Sequence, residues 1–147
     1  MISVIQRVTK ASVNIDGSVF SAIENGLLVL AGLQTEDTFE DIKIMSRKIL
    51  SIRVFDDENG ALNKNVCDVS GELLLVPNFT LAADTSRGNR PGFSTALPPD
   101  SAKPLFEKFV SEVHSSYPKV CSGLFGADMK VKLVNDGPIT ISLASKK

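Results

Sequence analysis

The sequence predicts an α+β (mixed α/β) domain, a curved, barrel-like β-sheet covered by two main helices. Three observations carry this. Most patterned segments alternate with a period of two, two segments repeat near 3.6, and no linker, repeat or low-complexity stretch interrupts them. The 147 residues suit one domain with its own hydrophobic core, so residues 1–147 are read as a single unit. Strands in this number bury their apolar faces by curving and by carrying helices on one side.

Ile2, Val4, Gln6 and Val8 alternate with Ser3, Ile5 and Arg7, the pattern of a strand. Ser12 to Asp16 and Ser18 to Ile23 flank Asp16-Gly17, a strong two-residue hairpin signal. Leu27 to Leu33 is continuously apolar and predicts a central strand. Asp37 to Ile49 predicts a helix, with Phe39, Ile42, Met45, Ile49 and Ile52 on its buried face. Thr35 or Asp37 is placed to cap it. Arg53-Val54-Phe55 is a short strand ended by the turn cluster Asp56 to Gly60. Leu73 to Phe79 is another strand, although Pro77 and Asn78 interrupt its apolar run. Pro98 to Val113 predicts the second helix, with Ala102, Leu105, Phe106, Phe109, Val110 and Val113 buried. Met129 to Val134 and Ile139 to Leu143 both alternate, separated by Asn135-Asp136-Gly137-Pro138.

Composition narrows the function. The net charge of −1 argues against coating nucleic acid through a broad basic face. Recognition of one nucleic-acid end in a pocket stays open. Local basic clusters occur at Lys43/Arg47/Lys48, Arg87/Arg90 and Lys130/Lys132, and each reads first as a solvated face. No stretch is apolar enough to span a membrane, and Met1 to Val4 does not begin a secretory signal. Cys67 and Cys121 read as reduced thiols of a cytoplasmic protein. Two cysteines and one histidine are too few for a usual zinc site, so no metal or other cofactor is expected.

His114 falls near the solvent boundary of the second helix, so no Ser-His-Asp set is available. Phosphate-binding glycine loops are missing from the sequence, and Asp56-Asp57-Glu58 reads as a turn rather than a calcium loop. Two segments remain. Thr80 sits where a strand gives way to a loop, but a threonine nucleophile needs a base, and Asp84 is the nearest carboxylate. Spacing alone favours a β-branched strand residue. Gly137-Pro138 lies between two strands, as a hairpin turn or as carbonyls held at a site, and its X-Pro bond has a small trans preference.

Together these segments resemble the D-aminoacyl-tRNA deacylases, of the type first described as D-tyrosyl-tRNA deacylase. The resemblance runs from "VIQRVTKASV" through "RVFDDENG" and "NFTLAADTSRGNRPGFS" to "FGADMKVKLVNDGPITI", the length of the chain. The family carries a Ser-Gln-x-Thr-Leu stretch and an Asn-x-Gly-Pro-x-Thr stretch. The second is intact here as Asn135 to Thr140, and the first is altered to Pro77-Asn78-Phe79-Thr80-Leu81.

The resemblance implies a homodimer with active sites at the subunit interface. It implies hydrolysis of the ester joining a D-amino acid, or glycine, to the aminoacylated 3′ end of tRNA, with DNA not the main substrate. The Gly137-Pro138 bond is then cis, and this pair reaches into the partner's pocket to exclude L side chains, which is selectivity by rejection. Arg7 braces that loop, with an ordinary salt bridge as its other reading, and Thr140 supports the site beside Asn135. The neighbouring ribose hydroxyl assists cleavage while the Phe79 amide, with Thr80 beside it, stabilises the oxyanion. The terminal adenosine packs near Phe125 to Met129, with Pro77, Asn78 and Asn135 also at the substrate.

Pro77-Asn78 is the departure from the family. Pro77 removes a hydroxyl and a backbone donor, and Asn78 is one methylene shorter than Gln. The Phe79 amide survives. An animal branch of the superfamily also has proline at the first of these positions, with a more permissive pocket. The expectation is an active deacylase of altered rate or selectivity. The alternatives are an inactive relative that binds tRNA ends and a permissive editor of mischarged L-alanyl-tRNA.

Overall fold

The computed structural model describes residues 1–146. The chain runs β1 (Ile2–Ile15), β2 (Ser18–Ile23), β3 (Gly26–Gly32), α1 (Phe39–Ser51), β4 (Phe55–Asp56), β5 (Leu62–Lys64) and β6 (Glu72–Pro77). A 3-10 turn (Phe79–Ala82), α2 (Pro99–Ser116), β7 (Val120–Ser122) and β8 (Lys130–Ala144) complete it.

β1 is the template of the sheet. Its two predicted halves form one strand of 14 residues. On one edge it pairs antiparallel with β3 through Ile2 to Val8 and with β2 through Ala11 to Ile15. β8 covers its other edge along nearly the whole length. β6 and β7 extend the sheet in parallel beyond β3. The β1–β2 turn is the hairpin the sequence predicts: Asp16 and Gly17 both have positive φ, 51° and 81°, as a type I′ turn requires. β7 curls towards β2, with Cys121 Sγ 3.8 Å from the Ala22 carbonyl, so the sheet is a nearly closed barrel.

The apolar runs of β3 and β6 follow from burial on both faces. Leu27, Val29, Leu73 and Leu75 meet Ile42 and Met45 of α1 and Phe106 and Phe109 of α2. Leu28, Leu74 and Val76 point into the barrel against Val8, Val13 and Ile23. Burying one such side chain contributes about 1.5–3 kcal/mol, so each layer adds substantially to the stability of the sheet.

Several boundaries move. α1 starts at Phe39 and is capped by Thr38, not Thr35 or Asp37, because Asp41 accepts both the Thr38 amide and its hydroxyl. Asp37 is engaged by the Gln34 amide instead. Phe39 is exposed rather than buried and lies under Lys43, 5.0 Å from the ring centre. The short strand after α1 is Phe55–Asp56, paired with Leu62–Lys64 across the acidic turn. α2 runs Pro99–Ser116, later at both ends than predicted. β7 was not predicted, since three residues are too few to show a period. β6 stops at Pro77, not Phe79, and the chain then tightens into the 3-10 turn. Met129 to Val134 and Ile139 to Leu143 belong to one strand, because β1 templates both.

Candidate active site

The last ladder bond of β6 is donated by the Asn78 amide to the Ala31 carbonyl, at 2.8 Å. Pro77 has no N–H and ends the strand without leaving a donor unmade. Phe79 then opens the 3-10 turn, where its amide has no intrahelical acceptor. This junction forms one wall of a cleft of about 780 Å³. Pro77, Asn78 and Phe79 line that wall, Phe125 to Met129 form another, and the segment from Phe93 to Pro99 closes a third. The cleft is mostly apolar with a few backbone and amide groups, the composition of a small-ligand site.

Two packing details shape the walls. The Phe79 ring meets Phe93 edge-on, with centroids 5.1 Å apart. Gly123 lies behind Met129: a Cβ there would come within 2.7 Å of the Met129 sulfur. The glycine therefore lets Met129 sit back and keeps the cleft open.

Thr80 is exposed and is not among the residues lining the cleft. Its hydroxyl donates to Asn78 Oδ1 at 2.5 Å, so its proton is given to a carbonyl and not to a base. Asp84 does not serve as that base either. Its carboxylate accepts the Ser86 amide at 2.9 Å, and the Ser86 side chain and amide hold it below the usual carboxylate range. His114 is exposed on α2, away from the cleft lining, as its helical position predicts.

The second predicted segment forms a separate feature of β8. Val8 pairs with Asn135 and Gln6 pairs with Thr140, so Asp136 to Ile139 bulge out opposite Arg7 alone. The Gly137-Pro138 bond is cis and Gly137 has φ +139°, a value side chains rarely adopt. Asn135 closes the bulge. Its Oδ1 accepts the Ile139 amide and its Nδ2 donates to Thr140 Oγ1, both at 2.8 Å. Arg7 is buried beneath it. Nε donates to the Asp136 carbonyl and Nη1 to the Val54 carbonyl, each at 3.0 Å. Asp56 lies 3.3 Å from Nη1, and the Asp136 carboxylate 3.4 Å from Nε. The guanidinium thus ties the β8 bulge to the chain at the start of β4.

Apart from Thr80, the predicted site residues fall into two groups. Pro77, Asn78, Phe79, Phe125 and Met129 share the cleft. Arg7, Asn135, Gly137, Pro138 and Thr140 share the bulge, and neither Gly137 nor Pro138 lines the cleft of its own chain. Sequence reasoning missed Phe93, Leu97 and Pro98 as cleft residues. The signal was a lone aromatic in the otherwise polar loop "SRGNRPGF".

The family described as D-Tyr-tRNA(Tyr) deacylase matches residues 4–144. The D-aminoacyl-tRNA deacylase of Chlorobaculum tepidum is 53% identical over 148 residues, covering 100% of this chain and 99% of the relative. A solved structure described as "c-Myc DNA Unwinding Element Binding Protein" is 42% identical, with a TM-score of 0.96 and full coverage of both chains. A second, "Structural Analysis of a probable eukaryotic D-amino acid tRNA deacylase", is 14% identical with a TM-score of 0.86 over 97% of each chain, a likeness of fold. With the cleft, the braced Gly-Pro bulge and these full-length matches together, the chain belongs to the D-Tyr-tRNA(Tyr) deacylase family.

Proposed function

We propose that this chain, residues 1–147 acting as one unit, is a D-aminoacyl-tRNA deacylase of the cytoplasm that works as a homodimer. It hydrolyses the ester between a D-amino acid, or glycine, and the terminal ribose of tRNA. The terminal adenosine lies along Phe125 to Met129, and the ester carbonyl meets the Phe79 amide. Water, assisted by the neighbouring ribose hydroxyl, attacks the carbonyl carbon. The Phe79 N–H holds the oxyanion, the ester C–O bond breaks, and the ribose oxygen leaves with a proton. Thr80 acts by holding Asn78 in place, not as a nucleophile. Gly137 and Pro138 of the second subunit enter the cleft, where their carbonyls collide with an L side chain and leave room for hydrogen or a D side chain.

One observation carries this reading: the Phe79 amide heads a 3-10 turn at an apolar cleft, outside the strand ladder. An amide spent in the ladder would favour a relative that only binds tRNA ends. Pro77, in place of the family's serine, favours a second reading, a more permissive pocket that also accepts L-alanyl ester. Deacylation of D-aminoacyl-, glycyl- and L-aminoacyl-tRNA by pure protein tests both. The expected result is turnover of the D and glycyl esters and no turnover of bulky L esters. Cleavage of L-alanyl-tRNA would establish the permissive reading, and no turnover of any ester would remove the enzymatic one.

A further inference from the structure

The distal part of the loop between the 3-10 turn and α2, Asp84 to Gly92, lies outside the cleft lining and is not used by the chemistry above. It is closed at its base by two backbone bonds, Asp84 N–H to the Gly92 carbonyl at 2.7 Å and Gly92 N–H to the Asp84 carbonyl at 2.9 Å. The Asp84 carboxylate turns inward to the Ser86 amide, at 2.9 Å. Below the base, Phe93 meets Phe79 edge to face, and the Thr95 hydroxyl donates to the Ala82 carbonyl. The loop is therefore an arm fixed to the cleft wall, and its stem continues into Phe93 and Ser94 of the lining.

Its charge is one-sided. From Thr85 to Pro99 the charged residues are Arg87 and Arg90, in a chain whose net charge is −1. Both are exposed, and neither forms an ion pair with a carboxylate among the described residues. The acidic residue of the cleft lining, Asp128, is neutralised by Lys130 at 3.0 Å. Two guanidinium groups without a carboxylate partner, on a pinned arm whose stem runs into the lining of an apolar cleft, suit a polyanion that continues outward from the cleft.

We propose that this arm grips the phosphates of the tRNA acceptor strand just upstream of the terminal adenosine, through Arg87 and Arg90. The inference rests on the deacylase reading and extends it. The cleft takes the aminoacylated adenosine, and the arm takes the backbone leading to it. Arg87 and Arg90 are positioning residues that hold the acceptor end without touching the ester.

The test compares wild type with the Arg87→Gln/Arg90→Gln variant on two substrates, glycyl-tRNA and 3′-O-glycyl-adenosine, over a range of salt. On glycyl-tRNA the variant is expected to lose about tenfold in kcat/KM at low salt, chiefly through KM. Its log–log salt slope should be shallower by roughly 1.4, at ~0.7 per single-strand phosphate contact. Hydrolysis of the adenosine ester should be unchanged. An unchanged slope on glycyl-tRNA overturns the proposal, and so does an equal loss on both substrates. If wild type cleaves neither ester, the deacylase reading fails, and binding of uncharged tRNA decides the arm: a shallower salt slope in the variant supports it, and equal slopes overturn it.

Discussion

Asn78, Phe79 and Thr80 illustrate how three neighbours divide their labour. Asn78 gives its amide to the ladder and its side-chain oxygen to Thr80, while Phe79, a cleft-lining residue, has its amide at the head of the 3-10 turn, outside the ladder. Proline is tolerated at the first position of a helical turn, so the Phe79 donor can be removed there without unfolding the turn. Phe79→Pro is expected to lower kcat by about 10²–10³, the usual loss for one oxyanion donor, while Phe79→Ala keeps the amide and most of the rate. Single-turnover deacylation separates them, and equal losses in the two variants would move the oxyanion site elsewhere. Thr80→Val deletes one hydroxyl bond of about 1 kcal/mol, so at most a tenfold loss is expected. A loss of several thousandfold in the same assay would restore Thr80 as the nucleophile. The Thr80 expectation was partly legible in sequence, because a threonine with no nearby base is already a poor nucleophile, whereas the Phe79 role came from the family resemblance. The Asn78 acceptor was not legible, since it depends on the turn angle after Pro77.

At the scale of elements, the β8 bulge is held by a strand, a loop carbonyl and one buried cation. Removing Arg7 leaves the Val54 and Asp136 carbonyls without their donor. Arg7→Met is expected to cost about 3 kcal/mol, the range for breaking one side of a buried charged contact. Urea midpoints measure that cost, and L-aminoacyl-tRNA cleavage should rise as the bulge loosens. The start of α1 carries a pH dependence. Burial of Asp41 pushes its carboxyl upward, but the Thr38 amide, the Ser145 hydroxyl, Lys146 and the Thr38 hydroxyl together bring it down to about 2, from 3.8. The folded value lies below the unfolded one, so this stability is complete above about pH 4 and is lost as pH falls from there towards 2. Its size is on the order of 2 kcal/mol, at ~1.4 kcal/mol per pH unit. The melting temperature of Asp41→Asn should be lower than wild type at pH 6, with the gap closing near pH 2. The two helices were legible from their period; the cap was not, because Thr35, Asp37 and Thr38 are chemically similar and only the approach of Asp41 selects Thr38.

For the whole molecule, the absence of Gly137 and Pro138 from the lining of their own chain's cleft is the observation behind the proposed homodimer. Light scattering is expected to give twice the 15.8 kDa mass of one chain, with deacylase activity falling as dilution separates the subunits. A monomer with full activity would show that one chain suffices. The amino-acid order alone determined the two helices, the longer strand segments, the hairpin at Asp16-Gly17 and the two site motifs, because period, turn chemistry and residue type are local properties. Tertiary structure decided the rest. It fused Met129 to Val134 and Ile139 to Leu143 into one strand along β1, buried Arg7 under the bulge, and brought Phe93 from a polar loop onto Phe79. Each of these outcomes depends on which distant segment supplies a ladder, a carbonyl or a ring face, and no local pattern encodes that partner.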